Sequence, residues 1–280
     1  MRVLLSVAKK EIRIWLTRPK VWSAFLLGMC FCAYTAEKYI SFSEAIGSSM
    51  QVTEIYTIIG SSTYYFTGIL LGVLLLLSDA PFVNSRSRYE IIRIGKVAWL
   101  RSQMLYITLS VLIYFLIIML FTMLIACVIG KASWANAWSR SMGILAYDNP
   151  YFAISEFKLT FPYPLMISTV TPYLASVLTL VFNILYCLLL CMCMYVFNLV
   201  VEKKIGWFLA TIIHFSGYII ITNGIITNGL QRFSPLSCAF FANQFVDSTR
   251  INIINASLLF LVLLYALTYV LNHRMKYIDL

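Results

Sequence analysis

Apolar residues recur along the chain in long runs that are separated by shorter polar segments. A helix of about 20 apolar residues is long enough to cross the ~30 Å hydrocarbon core of a bilayer. The pattern predicts an all-α polytopic membrane protein that forms one transmembrane domain over residues 1–280. We place its six predicted transmembrane helices at residues 21–36, 58–78, 104–129, 166–201, 205–221 and 251–271.

Residues 1–20 precede the first predicted span and carry six Lys and Arg residues. We expect them to form an amphipathic helix in the membrane interface, with Trp15 at headgroup depth. Pro19 should end or turn this helix before the first span. A disordered basic tail is the alternative. The apolar residues that recur mostly three and four positions apart, as on one face of a helix, are Leu4, Leu5, Ala8, Ile12, Trp15 and Leu16.

The first half of the second predicted span, residues 60–68, combines glycine with hydroxyl-bearing side chains. Small residues let helices approach closely in lipid, and hydroxyls can bond to a neighbouring helix. Ionisable residues at membrane depth, such as the histidine of the fifth predicted span, are functional candidates. Helix packing alone, with a neutral histidine bonded to another helix, is the alternative. The candidates for a substrate path or a dimer interface are Ser62, Tyr64, Tyr65, Thr67, Asn183 and His214.

Residues 79–103 form a polar and basic stretch between the second and third predicted spans. They include five Lys and Arg residues but only Asp79 and Glu90 as acids. Ser87 and Glu90 have the spacing of a capping box, and Gly95 can end a helix in the left-handed conformation that a Cβ penalises. We expect a short helix on the charged side of the bilayer, suited to docking onto a soluble partner. An ordinary basic loop that only fixes the topology is the alternative.

Four further segments are predicted to lie outside the spans. Residues 37–51 and 130–164 should be loops, and the second contains many aromatic residues, which suit the membrane–water boundary. The repeated Thr-Asn-Gly at residues 222–229 predicts turns. Residues 233–241 are apolar but too few to cross a bilayer, which predicts a re-entrant or interfacial segment. The candidate residues of this segment are Gly229, Ser234 and Pro235.

The placement of charge predicts the topology. Of the 21 Lys and Arg residues, six lie in residues 1–20, five in 79–101, and two each in 201–206 and 272–280, all on one side of six spans. The other six lie on the opposite side. Because positive loops favour the cytoplasm, we expect a multi-pass plasma-membrane protein with both termini in the cytoplasm. The basic residues flank apolar spans and form no separate domain, which argues against a nucleic-acid partner.

The sequence lacks motifs for catalysis or metal binding. No G-x-x-x-x-G-K-[ST] loop occurs, so this chain cannot bind ATP through a P-loop. Six of the seven cysteines lie in or at the ends of apolar runs, where cysteine acts as a small hydrophobe. The predicted spans hold no carboxylate, which argues against an ion-coupled transporter. We therefore expect no enzymatic activity, no metal and no cofactor on this chain, with an intramembrane enzyme using His214 as an alternative.

This layout resembles the permease subunit of ABC-2 type transporters. That family has an interfacial N-terminal helix, six spans with both termini inside, a cytoplasmic coupling helix between spans two and three, and a re-entrant segment between spans five and six. Arg93-Ile94-Gly95 followed by Trp99-Leu100 is similar to a run in many bacterial members, and Ser234-Pro235-Leu236 is similar to the family's re-entrant segment. The first predicted span is short, and residues 130–164 form a longer loop than in minimal members.

The resemblance implies ATP-driven export from a bacterial cell. Two copies of a separate cytoplasmic ABC ATPase subunit would bind ATP and Mg²⁺, and a second permease copy, identical or related, would complete the path through the lipid bilayer. The cargo would be hydrophobic or amphiphilic, such as an antimicrobial peptide, a drug or a lipid. A structural or immunity membrane protein without transport is the alternative. The coupling-helix residues that would contact the ATPase are Ser87, Arg88, Tyr89, Glu90, Ile92, Arg93 and Gly95.

Overall fold

The computed structural model describes residues 2–78, 85–148, 150–201, 205–223, 230–246 and 251–274. Over these ranges the chain is helical and contains no β-strand, apart from one isolated bridge between Gln51 and Ser133. A 3₁₀ helix covers Phe241–Phe245. The α-helices are α1 (Arg2–Leu16), α2 (Pro19–Ile46), α3 (Glu54–Ser61), α4 (Thr63–Leu77), α5 (Ser85–Ile94), α6 (Lys96–Val128), α7 (Arg140–Tyr147), α8 (Tyr151–Ser155), α9 (Pro164–Thr169), α10 (Pro172–Val201), α11 (Ile205–Thr222), α12 (Pro235–Ala239) and α13 (Ile253–Arg274).

Four helices in the described part of the chain, α6, α10, α11 and α13, are long and apolar enough to cross a membrane. Helices α3 and α4 would add a fifth span if the bent pair is counted as one. The protein is therefore a membrane-embedded helical bundle. That α2 is a further span stays a prediction. Its apolar part is short, because Lys20 bounds it at one end and Glu37 and Lys38 bound it at the other.

Helix α2 continues well past the predicted first span. The prediction of a loop from residue 37 was wrong up to Ile46, where the helix ends and Gly47 takes a positive φ of 67°. The polar residues that suggested a loop include Glu37 and Glu44, which are exposed, while Tyr39 and Phe42 on other faces are buried. The segment is amphipathic, which its short polar runs did not reveal.

The second predicted span is broken. Helices α3 and α4 meet at an angle of 88°, and the intervening Ser62 is extended. Every residue of α3 is buried, and its Thr57 hydroxyl lies 2.9 Å from that of Ser176 on α10. Helix α3 is enclosed by α2, α4, α6 and α10, all of which it contacts.

The fourth predicted span also divides into two helices. Residues 164–169 form α9, and Pro172 begins α10 rather than bending it. Proline suits this first position because it has no backbone N–H to leave unbonded. The predicted loop at residues 130–164 contains the short helices α7 and α8, whereas the predicted fifth and sixth spans are confirmed as the helices α11 and α13.

One tyrosine shows how the first half of the bundle packs. Tyr114 of α6 lies between α2 and α4, where a Cβ on either Gly28 or Gly72 would come within 2.2 Å of its hydroxyl oxygen. That hydroxyl donates to the carbonyl oxygen of Ile69, 3.1 Å away. The glycines therefore let three helices meet around one aromatic ring, as small residues do in membrane bundles.

Helix α10 occupies the centre of the bundle, where it contacts α3, α6, α11, α12 and α13. Helix α1 packs along α6, with Ala8 and Trp15 buried. The predicted N-terminal helix is present, and Trp15 packs against Phe25 at a ring-centroid distance of 5.9 Å. Headgroup depth for Trp15 stays a prediction. An interfacial position for α1 stays a prediction.

Candidate functional site

The first candidate site is the exposed face of α5, which we call the α5 surface and define as Tyr89, Ile92 and Arg93. Helix α5 turns this face outward, because Ile91 on the same helix is buried and Ile94 packs against the core. Tyr89 and Ile92 are 75% and 81% exposed. An isoleucine this exposed, beside an exposed tyrosine and an arginine, forms a small amphipathic surface that a protein partner could cover.

The predicted capping box is not what starts this helix. Helix α5 begins at Ser85, so Ser87 lies inside it and cannot be its N-cap. The Glu90 carboxylate instead forms an ion pair with the Lys10 ammonium group of α1. The side chains of Ser87 and Arg88 lie outside the described part of the chain.

Gly95 forms the joint between α5 and α6. Its φ of 84° lies in the region that a Cβ penalises, as the sequence predicted, although its ψ of 151° is extended and not helical. Its N–H donates to the carbonyl of Ile91, and its carbonyl accepts from the N–H of Trp99. The two helices are therefore hydrogen-bonded across the joint but do not form one continuous helix.

Contacts with two helices, α6 and α1, fix the position of α5. The helix packs against α6, α6 packs against α1, and the Lys10–Glu90 ion pair closes the triangle between α1 and α5. The Glu90 side chain is only 14% exposed, whereas that of Lys10 is 41% exposed. A displacement of α5 would therefore be transmitted to both α6 and α1.

The second candidate site is a cleft of about 310 Å³ between α2, α4 and α11, which we call the α4–α11 cleft. It is open to the surface and mostly apolar, and the side chain of Thr67 contributes a hydroxyl group to its wall. Gly68 allows the approach of α2 and α4, because a Cβ there would come within 2.4 Å of the Phe31 ring. The described residues that line the cleft are Phe31, Tyr64, Thr67, Gly68, Leu71, Phe215 and Tyr218.

His214 lies behind this cleft, buried, and bridges two helices. Its Nε2 is 3.0 Å from the Thr67 hydroxyl of α4, and its Nδ1 is 3.0 Å from the Tyr186 hydroxyl of α10. The Thr67 hydroxyl also lies 2.7 Å from the carbonyl of Thr63, to which it donates its single proton. It must then accept from Nε2–H, so a neutral imidazole accepts the Tyr186 proton at Nδ1. These bonds give His214 a role in joining helices.

The other predicted path residues do not gather at the cleft. Ser62 lies at the break between α3 and α4, and Tyr65 is buried with its hydroxyl donating to the carbonyl of Lys158, 2.9 Å away. Asn183 is buried against α3, where a Cβ on Gly60 would come within 2.6 Å of its amide nitrogen. Of the six candidates, the structure therefore places only Tyr64 and Thr67 in the cleft wall, with His214 directly behind.

Residues 230–246 contain the predicted re-entrant segment. Pro235 begins α12, and the Ser234 hydroxyl caps it by accepting from the N–H of Ser237. The irregular chain that follows is tied to its surroundings, since the Asn243 amide donates to the Ser237 carbonyl and accepts from the Tyr163 hydroxyl. Gly229 lies outside the described residues. The protein thus supplies partners for the N–H and carbonyl of Ser237, the kind of bonding that irregular backbone at membrane depth requires.

The sequence did not reveal a fully buried carboxylate at the start of α3. Glu54 accepts from the N–H groups of Gln51 and Ser139 at 2.8 and 2.7 Å, and from the hydroxyls of Tyr39 and Ser139 at 2.9 and 2.8 Å. We call Tyr39, Gln51, Glu54 and Ser139 the Glu54 cluster. These hydrogen bonds hold α2 and α3 to the segment before α7, which gives the cluster a structural role.

No group of three or more His, Cys, Asp or Glu residues that could hold a metal occurs in the part of the chain that the structure describes. A scan against protein-family models and searches of curated proteins and solved structures find no match to this chain. The function must therefore be argued from the chain's own geometry.

Proposed function

We propose that this chain is the membrane-spanning permease subunit of an ABC-2 type exporter, driven by a separate cytoplasmic ATPase. Two ATPase subunits bind ATP and Mg²⁺, and two permease chains, identical or related, enclose the path. In this proposal the chain lies in the plasma membrane, with both termini and the α5 surface in the cytoplasm. The observation that carries the proposal is the α5 surface, a short helix with exposed apolar side chains fixed at the start of a long spanning helix.

The composition of the α5 surface supports a protein partner. Tyr89 and Ile92 together offer an aromatic and an aliphatic contact, and Arg93 offers a charged one. Tyrosine and arginine are common among the residues that dominate protein interfaces. A basic loop that only fixes topology has no need of an exposed isoleucine.

The position of α5 supports a role in coupling. When the ATPase subunits close, they would displace α5, and the joint at Gly95 would change the angle at which α6 leaves it. The ion pair between Lys10 and Glu90 would carry the same displacement to α1. Because α1 and α6 are packed together, the two helices would move as a pair.

The α4–α11 cleft supports the class of cargo. Its walls present aromatic and aliphatic side chains and the Thr67 hydroxyl, while the imidazole of His214 is buried behind it in a neutral hydrogen-bonded state. Such a surface suits a hydrophobic or amphiphilic molecule such as an antimicrobial peptide, a drug or a lipid. In a permease dimer, the cleft would face the path or the second copy.

Purification tests this proposal. The chain, extracted in mild detergent, should bring with it a stoichiometric soluble subunit that contains a P-loop, identified by mass spectrometry. Ile92→Glu should reduce that recovery about tenfold, because a charge would be buried in the interface. Tyr151→Glu is the control, since Tyr151 is 82% exposed and lies in the segment that follows the far end of α6. Equal recovery with Ile92→Glu and wild type would refute the proposed docking surface.

A further inference from the structure

A second cleft, of about 400 Å³, opens between residues 230–246 and the first turns of α13. We call it the Arg232 cleft. Arg232 supplies the positive charge among the described residues that line it, and the rest of the lining is amide or apolar. Neither candidate site described above includes any of its residues. The described lining residues are Arg232, Phe233, Asn255, Leu258 and Leu259.

The Arg232 side chain is held over an aromatic ring. Its guanidinium carbon lies 4.7 Å from the centroid of the Phe233 ring. The backbone around it is also fixed, because the N–H of Ser234 donates to the Gln231 carbonyl and the thiol of Cys238 contacts the Arg232 carbonyl at 3.5 Å. Gln231 and Ser234 are buried on either side. The cation is therefore presented from a turn that is anchored in the bundle.

The cleft lies where a spanning helix begins. Helix α13 is apolar enough to cross a membrane from Ile253 onward, and the Asn252 amide oxygen caps it by accepting from the N–H of Asn255. Further along the helix, Leu258 and Leu261 are 60% and 66% exposed. The cleft therefore has a cation and an amide at the end of the span, and an apolar wall that continues along its bilayer-facing surface.

We propose that the Arg232 cleft binds an anionic phospholipid. The phosphodiester would accept hydrogen bonds from the Arg232 guanidinium, whose fork of donors matches phosphate oxygens, and one acyl chain would lie along Leu258 and Leu259. This combination of one cation and an apolar wall matches an amphiphile and does not match a free inorganic anion. The proposal needs only that the protein lies in a membrane, so it stands or falls independently of the ATPase proposal.

The test measures lipid retention by the purified full-length chain. Wild type and variants are reconstituted in phosphatidylcholine nanodiscs containing a fluorescent phosphatidylglycerol, and the lipid that remains after exchange into detergent is quantified. Arg232→Gln should lower the retained phosphatidylglycerol about fivefold, the effect expected for one basic side chain near an anionic lipid. The matched control is Arg140→Gln, which removes the same charge from an exposed position at the start of α7.

A second variant keeps the charge and removes the space. Leu258→Trp should fill the cleft and lower retention of phosphatidylglycerol to a similar extent, while unfolding at the same temperature as wild type. Retention by Arg232→Gln equal to that of Arg140→Gln would overturn the proposal. So would competition by millimolar inorganic phosphate, which would identify a free-anion site, or equal retention of a fluorescent phosphatidylcholine, which would remove any role for headgroup charge.

Discussion

Replacing Glu54 with glutamine should destabilise the protein even though the two side chains have nearly the same shape. Each carboxylate oxygen of Glu54 accepts from a different backbone N–H, one from Gln51 and the other from Ser139. An amide has a single acceptor oxygen, so in either orientation one of these N–H groups faces an NH₂ group. The hydroxyls of Tyr39 and Ser139 can rotate, but the backbone donors cannot.

The structure sets the size of this effect. A buried donor left without an acceptor costs about 1–3 kcal/mol, and the cluster is fully buried at Tyr39, Gln51 and Glu54. We therefore expect Glu54→Gln to lower the free energy of unfolding by about 2 kcal/mol. In chains of about 150–250 residues, the melting temperature falls by about 2–4 °C for each kcal/mol of lost stability. For this slightly longer chain we therefore expect a fall of about 4–8 °C. Glu54→Ala, which removes every acceptor, should cost more.

A thiol-reactive dye can follow the unfolding. The free thiols of Cys187, Cys191 and Cys238 are buried, so they react only as the bundle opens, and a background with Cys30→Ser and Cys127→Ser removes the exposed and the partly exposed thiol. The control is Glu44→Gln, since Glu44 is an exposed residue of α2.

A change of less than about 1 °C with Glu54→Gln would contradict the reasoning, because surface substitutions already produce changes of that size. It would mean that the two backbone N–H groups do not depend on the carboxylate. A large fall with Glu44→Gln as well would show that the dye reports helix α2 in general and not the cluster.

Two further predictions concern the α5 triangle and the α2–α4 contact. If the chain is the proposed permease, Lys10→Glu should weaken coupling between ATPase activity and export, and the added Glu90→Lys should restore it. The pair contributes less than about 1 kcal/mol to stability because it is partly exposed, so failure of the double variant to recover export would contradict a direct contact. Gly68→Ala should lower the melting temperature, because its Cβ would come within 2.4 Å of Phe31, whereas Gly143→Ala, which meets nothing within 4 Å, should not. Similar melting temperatures for the two alanine variants would argue against close packing at Gly68.

The sequence predicts best those helices that consist of one unbroken apolar run. Helices α11 and α13 lie within a few residues of their predicted bounds, and α6 ends where expected but begins eight residues before the predicted span. That early start is a consequence of Gly95, since the helix resumes directly after the joint. Apolar length determines these elements, because each has to satisfy its own backbone in lipid.

The break at Ser62 was not predicted, although the preceding Gly60-Ser61 is a Gly/Ser pair of the kind at which helices can kink. The physical cause is tertiary: α3 is buried on all sides and lies against Thr179 and Asn183 of α10 across Gly60. A pattern of residues along one helix does not contain that information. The glycines among residues 60–68 did signal close packing, whereas the hydroxyl groups make, within the described part of the chain, one bond to another helix, between Thr67 and His214, and one to a loop, from Tyr65 to the Lys158 carbonyl.

The candidate sites also combine features that follow from local sequence with features that depend on tertiary packing. Only the structure shows that Ile92 is exposed beside the buried Ile91, whereas the positive φ of Gly95 follows from local features of residues 79–103. The Glu54 cluster does not, because Glu54 and Ser139 are 85 residues apart in sequence. The separation between Lys10 and Glu90 is almost as large. Local chemistry predicts which types of residue can make contacts, but only the packing of the helices determines which ones meet.

Helix α6 runs from the joint at Gly95 to the neighbourhood of the Glu54 cluster, so in the proposed exporter the cluster would also affect the motion of α6. Its 33 residues extend about 50 Å, from the joint at Gly95 to a tight contact at Gly130, where a Cβ would come within 2.6 Å of the Met50 sulfur. Just beyond, Ser133 exchanges backbone hydrogen bonds with Met50 and Val52, next to the cluster. The far end of α6 is thus held, so a displacement at Gly95 should tilt the helix and not slide it along its axis. If α6 carries the motion, Glu54→Gln should reduce export by more than its loss of folded protein explains, with normal binding of the ATPase.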